Sequence, residues 1–240
     1  ILHGRLAPRC VLLTVDGRAV LTDFTEATDQ IGVRSELHAR GTAIDALAYR
    51  SPEQSGRMNR SIDHRSDLYS LGVTLYEMLT GSVPFTAEDP LGLIYAHLAT
   101  LPTPPDALNP LIPRVPSTIA LRLLAKNAED RYQSGQGVAA DLEECLRQWR
   151  ATGVIEEFAL GRRDPSHELR IPERLYGRER EAGVLLAAFD RASQGPAEML
   201  LVAGPPGIGK TTLVNEVHRP LTQRRGTFIS GKVDALQRAV

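Results

Sequence analysis

Between Asp67 and Thr80, apolar residues return every three or four positions, at Leu68, Leu71, Leu75 and Leu79. That spacing predicts a helix, and Gly81 followed by Pro84 predicts its end. Tyr69, Val73, Tyr76 and Met78 make the other faces apolar too, which predicts a helix surrounded by protein rather than lying on a surface. Asp67 at its start suits a first-turn carboxylate. Upstream, Val11-Leu12-Leu13 and Ala19-Val20-Leu21 flank Asp16-Gly17, a signal for a strand pair joined by a two-residue turn. Downstream, Asp89-Pro90 predicts a helix start, with a cap residue and Pro at the first helical position. The prolines of residues 101–116 predict an irregular loop. A helix is expected over Ile119–Lys126, and another from a Ser134 cap to about Trp149, burying Val138, Leu142, Leu146 and Trp149. Residues 151–174 mix Gly, Pro and charge as a linker would. The pattern then predicts a helix from Glu179 to about Ser193, a buried strand at Met199–Ala203 and a second strand near 226–230.

Composition narrows this little. The 240 residues are 42% hydrophobic and 24% charged, with a formal net charge of −1, so charge alone suggests neither nucleic acid nor an anionic membrane as a partner. No apolar run approaches the roughly 20 residues of a membrane span, and no signal peptide is evident. Cys10 and Cys145 stand far apart and form no metal-ligand pattern, as expected of reduced, cytoplasmic thiols. Because the chain opens at Ile1 inside a motif and closes at Val240 soon after a phosphate loop, it is expected to be a fragment of a longer protein.

One motif carries chemistry on its own. Gly204-Pro205-Pro206-Gly207-Ile208-Gly209-Lys210-Thr211 fits the phosphate-loop pattern G-x-x-x-x-G-K-[ST], with an apolar run before it and Thr212 continuing into a helix. Backbone amides presented by the glycines cradle phosphates. Lys210 would reach the β- and γ-phosphates, and Thr211 would ligate Mg²⁺. The expected cofactors are therefore ATP and Mg²⁺.

Ser51-Pro52-Glu53, Asp67-Leu68-Tyr69-Ser70-Leu71-Gly72 and Gly81-x-x-Pro84-Phe85 resemble the large, C-terminal lobe of serine/threonine protein kinases. The fold class this implies is α+β: a mainly helical kinase lobe over residues 1–150, a linker over 151–174, and the start of an α/β P-loop NTPase domain over 175–240. The resemblance also makes Glu53 a buried structural carboxylate whose expected partner is Arg131, in Ala128-Glu129-Asp130-Arg131-Tyr132. In this family, His-Arg-Asp-x-Lys-Pro-x-Asn and then Asp-Phe-Gly form the catalytic loop and metal turn. Here His3-Gly4-Arg5-Leu6-Ala7-Pro8-Arg9-Cys10 and Asp23-Phe24-Thr25 stand there.

His3, Pro8, Asp23 and Phe24 are in place, but Arg5 occupies the position of the general base. A guanidinium has no lone pair to accept a proton with. Ala7 replaces the Lys that steadies the transferring phosphoryl group, and Cys10 replaces an Mg²⁺-binding Asn, a thiol being a poor ligand for a hard cation. No catalytic group is intact at positions 5, 7 and 10, so a pseudokinase is expected, with Asp23 the remaining candidate ligand for Mg²⁺. Asp23 as a capping carboxylate without metal, His3 as a packed scaffold histidine, and Arg5 as a structural ion pair remain open readings. Residues 26–48 are polar and patternless, as an activation segment would be. Six residues follow Thr42 before Tyr49 where the family usually places two; Thr28, Ser35 and Thr42 are either phosphoacceptors of a regulated kinase or, the favoured reading, ordinary loop hydroxyls.

Leu160-Gly161-x-Arg163-Asp164, Ile171-Pro172 and Arg57-Met58-Asn59-Arg60 resemble a group of large bacterial signalling proteins. In these a kinase domain is followed by an AAA-like ATPase and then by sensory (GAF-like) and histidine-kinase modules. Tyr176-Gly177-Arg178-Glu179 resembles the Gly-Arg-Glu box of signal-transduction ATPases and places Arg178 near the adenine. The resemblance implies protein partners in a signalling pathway. Two other functions stand beside the pseudokinase coupled to an ATPase switch: an active serine/threonine kinase, and a docking lobe beside a functional ATPase. No apolar strand ending in an acidic pair follows the phosphate loop, which predicts weak or absent ATP hydrolysis by this chain alone.

Overall fold

A computed structural model describes residues 1–28, 44–57, 60–164, 177–205 and 207–215. It is rich in helix. The antiparallel strands β1 (Val11–Leu13) and β2 (Ala19–Leu21) are the one sheet among the described residues. The helices are α1 (Ile44–Leu47), α2 (Arg65–Thr80), α3 (Pro90–Ala99), α4 (Pro105–Leu108), α5 (Arg114–Leu123), α6 (Gly135–Thr152), α7 (Glu179–Ala192) and α8 (Lys210–Asn215).

α2 is central. Leu68, Tyr69, Val73 and Tyr76 are buried, but Met78 near its C-terminus is 77% exposed, so the helix emerges from the protein over its last turns. Gly81 ends it in the left-handed conformation, which glycine adopts without strain. α5 packs directly on α2. A Cβ at Gly72 would lie 2.6 Å from Leu123 Cβ, so only glycine allows this approach. Leu68, Val115, Ile119, Leu123, Tyr132, Val138 and Cys145 make one core cluster. Leu47, Phe85 and Leu93 make a second, under α3.

Several expectations are corrected. The β1–β2 connection is longer than a two-residue turn. Thr14 and Arg18 are hydrogen-bonded across its base, and Gly17 takes the left-handed position, the three-residue solution for a right-twisted hairpin. The proline-rich stretch 101–116 is not wholly irregular: it contains α4 and the first turn of α5. Pro105 and Pro116 both fall in first turns, where no backbone N–H is required. The helix expected over Ile119–Lys126 therefore lies earlier, at Arg114–Leu123.

On α6, Ser134 accepts the Gly137 amide hydrogen bond as cap, but the buried seam is Val138, Asp141 and Cys145. Leu142 is only partly buried, while Leu146 and Trp149 are 46% and 53% exposed. The polar Asp141 displaces the apolar stripe because its carboxylate has partners in the core. Residues 199–203 carry no strand ladder, and Met199 and Leu201 are exposed. A strand requires a paired neighbour, and none lies among the described residues. The strand near 226–230, Ser35, Thr42, Met58-Asn59, Ile171-Pro172, Tyr176 and Pro206 fall outside them.

Part of the expected linker is packed rather than free: Ile155, Phe158 and Leu160 lie against the main core. Residues 165–174 lie outside the described set. Among the described residues no helix is long and apolar enough to cross a membrane.

Candidate functional site

The loop from His3 to Cys10 is held from below by α2. Asp67, in the first turn of α2, accepts hydrogen bonds from the backbone amides of His3 (2.7 Å) and Gly4 (2.9 Å). Burial pushes its carboxyl up from the usual range, and the two amides only partly offset this. From the other side, Gln54 donates to the Gly4 carbonyl at 2.7 Å. Gln54 is itself fixed by a capping box with Ser51, a pattern legible in Ser51-Pro52-Glu53-Gln54 but not among the expected site residues.

His3 is buried. Its Nδ1 accepts from the Arg5 amide at 3.3 Å, which leaves Nε2 to donate to the Thr22 carbonyl at 2.9 Å. Both nitrogens are engaged in scaffold bonds, and the ring packs 4.9 Å from that of Phe24. This geometry favours the packed-scaffold reading over acid–base work.

Arg5 turns its guanidinium to Glu26 at 3.6 Å, and Glu26 also receives Arg50 at 3.0 Å. One carboxylate thus lies between two arginines. Nε of Arg5 and Nε of Arg50 are buried without a hydrogen-bond partner. Ala7 is 1% exposed and Cys10 fully buried. The Cys10 thiol donates to the Arg5 carbonyl at 3.4 Å, so it serves the loop's own backbone.

Asp23 has φ 61° and ψ 56° and is the only non-glycine residue with positive φ among those described. Left-handed backbone costs an aspartate on the order of 1–3 kcal/mol. It begins a short 3₁₀ turn but makes no capping bond, against the capping-carboxylate reading. Instead Oδ1 accepts from the Thr25 hydroxyl at 2.7 Å, which, with the nearby Arg5 charge, holds its carboxyl below the usual range.

Glu53 and Arg131 form a buried two-pronged ion pair at 2.7 and 2.9 Å. Ser66 adds a donor to Glu53 at 2.7 Å. The remaining Arg131 donors reach the carbonyls of Ala125, Lys126 and Arg65. The guanidinium also lies 4.8 Å from the Tyr69 ring centroid. This pair ties the Ser51–Gln54 turn to α2 and to the turn after α5.

The second site lies in residues 177–215. Gly207 and Gly209 are left-handed, at φ 79° and 90°. Lys210 donates to the carbonyls of Gly204 (2.8 Å) and Pro205 (2.9 Å), folding back across its own loop. Thr211 and Thr212 come next, on the first turn of α8. A cleft of about 500 Å³ brings Arg178, Val184, Val202, Ile208, Gly209 and Lys210 together, so Arg178, far upstream of Lys210, shares one cavity with the glycine-rich loop. These residues suit a nucleotide: amides and Lys210 for phosphates, an apolar wall for a base. Thr211 and Asp23 each offer the oxygen donor that a hard divalent ion prefers. No cluster of three or more His, Cys, Asp or Glu that could hold a metal exists among the described residues.

Residues 1–107 match the family described as protein tyrosine and serine/threonine kinase, and residues 174–240 match the AAA ATPase domain. The chain joins protein-kinase sequence to AAA ATPase sequence. It is similar to hybrid signal transduction histidine kinase G of Dictyostelium discoideum, 36% identical over 211 residues, covering 80% of this chain and 6% of that protein. Serine/threonine-protein kinase PksC of Streptomyces coelicolor is 36% identical over 147 residues, covering 61% of this chain and 26% of that protein. Serine/threonine-protein kinase PknB of Mycobacterium tuberculosis is 34% identical over 142 residues, covering 59% and 22%. The chain thus spans about a quarter or less of the length of these relatives. The family assignments imply binding of ATP and a divalent metal in general.

Proposed function

We propose that the chain belongs to an ATP-binding signal-transduction protein. Its kinase lobe, residues 1–150, acts as a scaffold without phosphoryl transfer, and its P-loop portion, residues 175–240, is the nucleotide switch. The observation that carries this is Arg5 in the position of the general base, paired with Glu26 and flanked by the buried Ala7 and Cys10. Losing a general base alone costs about 10²- to 10⁴-fold in rate. In the P-loop, Lys210 and the loop amides bind and orient phosphates, Arg178 borders the cleft near the base, and Thr211 would hold Mg²⁺. Bound Mg²⁺ would supply charge neutralisation between the phosphates. Cytoplasmic location and protein partners in a signalling pathway belong to the same reading.

The second reading is an active serine/threonine kinase with an unusual catalytic loop. Asp23 favours it: a strained left-handed carboxylate persists where its surroundings over-determine it, as functional contacts do. The third, a docking lobe beside a working ATPase, differs in that removing the lobe would leave nucleotide turnover and output unchanged.

Incubating the purified protein with γ-labelled ATP separates the readings. Nucleotide binding that disappears in Lys210→Ala, with no label on Ser or Thr, is expected. Labelled Ser or Thr that is lost in Asp23→Ala but survives Lys210→Ala would sink the pseudokinase reading.

A further inference from the structure

Residues 154–164 leave α6 and run back along it to its N-terminus. Apolar anchoring comes from Ile155, Phe158 and Leu160 on the main core. Polar anchoring comes at two points. The Gly161 amide donates to Asp141 at 2.7 Å, the carboxylate that also receives the Tyr132 hydroxyl at 2.5 Å. The Asp164 side chain, 2% exposed, accepts from the Gln133 amide and the Ser134 hydroxyl, each at 2.8 Å, with Arg122 at 3.9 Å. Ser134 is the α6 cap, so Asp164 adds a carboxylate to the positive end of that helix.

Two glycines are fitted to these contacts. A side chain at Gly137 would collide with Asp164, and one at Gly161 would collide with the Arg122 guanidinium, at a backbone φ of +75°. Nothing in the kinase chemistry or the P-loop uses this machinery.

We propose that residues 154–164 are a docked strap, latched by Asp164 on the α6 N-terminus, which shortens the tether between the lobe and the residues that follow it. Resting on the two-part reading above, the strap sets how far the nucleotide switch can move from the lobe. From Asp164 to Gly177 there are 13 Cα steps, a reach of at most about 45 Å. Counted from Gly153 instead, the span is 24 steps, and its upper bound rises to about 85 Å. Docked, the strap holds the two parts at a higher effective concentration for each other.

The exposed Arg162-Arg163 pair in the strap supplies the readout. Limited trypsin digestion and amide hydrogen exchange are measured on the whole protein, without nucleotide. In Asp164→Ala, cleavage at Arg162-Arg163 at least about tenfold faster is expected, with faster exchange at the Gly161 and Gln133 amides and unchanged exchange in α2. Gly137→Ala should behave alike, and Glu157→Ala, which removes a contact with the exposed Arg114, should match the unaltered protein. Unchanged cleavage in both latch variants overturns the proposal. Equal loss of protection in the strap and in α2 also overturns it, because the contact would then be part of global stability. Since no nucleotide is added, failure of the P-loop reading leaves this outcome unaffected.

Discussion

Glu53 and Arg131 bury a full charge each, and the pair matters most when one member is lost. Glu53→Gln or Arg131→Met leaves the other without its counter-charge, and each should lower the unfolding free energy by about 3–5 kcal/mol in urea titrations. By contrast, breaking the exposed Arg114–Glu157 pair should change nothing measurable. Burial alone would raise the Glu53 pKa, but the Arg131 charge and the hydrogen bonds from Arg131 and Ser66 outweigh it, leaving it below its ordinary 4.5. A depressed carboxyl stabilises fully above the unfolded value, and this contribution is lost as pH falls through the folded one.

His97 adds a second acid-labile element. Burial, with the Lys126 charge beside it, drives its pKa down from 6.5 to about 3, while its Nδ1 faces the Tyr69 hydroxyl at 2.9 Å. In the unfolded chain it binds a proton below pH 6.5; in the folded protein it stays neutral until about pH 3, so stability falls across that window. Unfolding free energy should drop by roughly 2 kcal/mol from about pH 6.5 to about 4.5, and His97→Gln should flatten that slope. The residue roles at this scale were readable where family motifs named them, as with Glu53. Asp141 was not, because a lone carboxylate in a polar stretch has no signature until its distant partners are in place, and Asp164 was marked only as part of Leu160-Gly161-x-Arg163-Asp164, without its partners Gln133 and Ser134.

The helices were legible where one face repeats. α2 and α7 lie close to where spacing puts them, and the α3 start at Asp89-Pro90 agrees with its observed cap, the Gly92 amide at 2.8 Å. Spacing errs where proline is read only as a breaker, in α4 and α5, and where every apolar residue is turned inward, in α6. Trp149 sits on the last turn of α6, beyond the reach of the core, and so stays exposed. α2 and α5 come into their closest approach at Gly72. Gly72→Ala improves helix propensity by about 1 kcal/mol, yet the Cβ must displace Leu123, which typically costs about 1–3 kcal/mol. A lower thermal midpoint is therefore expected. Gly135→Ala, where a Cβ meets nothing within 4 Å, should leave it unchanged or raise it.

Across the whole molecule, the phosphate-loop motif was legible because its pattern lies in consecutive residues. The strand before it was not, since a strand exists only by virtue of its neighbours. Lys210→Ala should abolish nucleotide binding while leaving the main unfolding transition of residues 1–164 in place, a pairing that calorimetry with and without ATP can test. The grip of Asp67 on the loop above it has a wider consequence. It holds two backbone amides, and all residues except proline carry one. The side chain at position 5 can therefore change without touching that grip, whereas His3, bonded through both ring nitrogens, and Gly4, at a φ of +80°, are held to their own residue types. Inheritance of shape and inheritance of reactivity are separable at such a position, because the contacts that hold the loop run through backbone amides while the chemistry runs through a side chain.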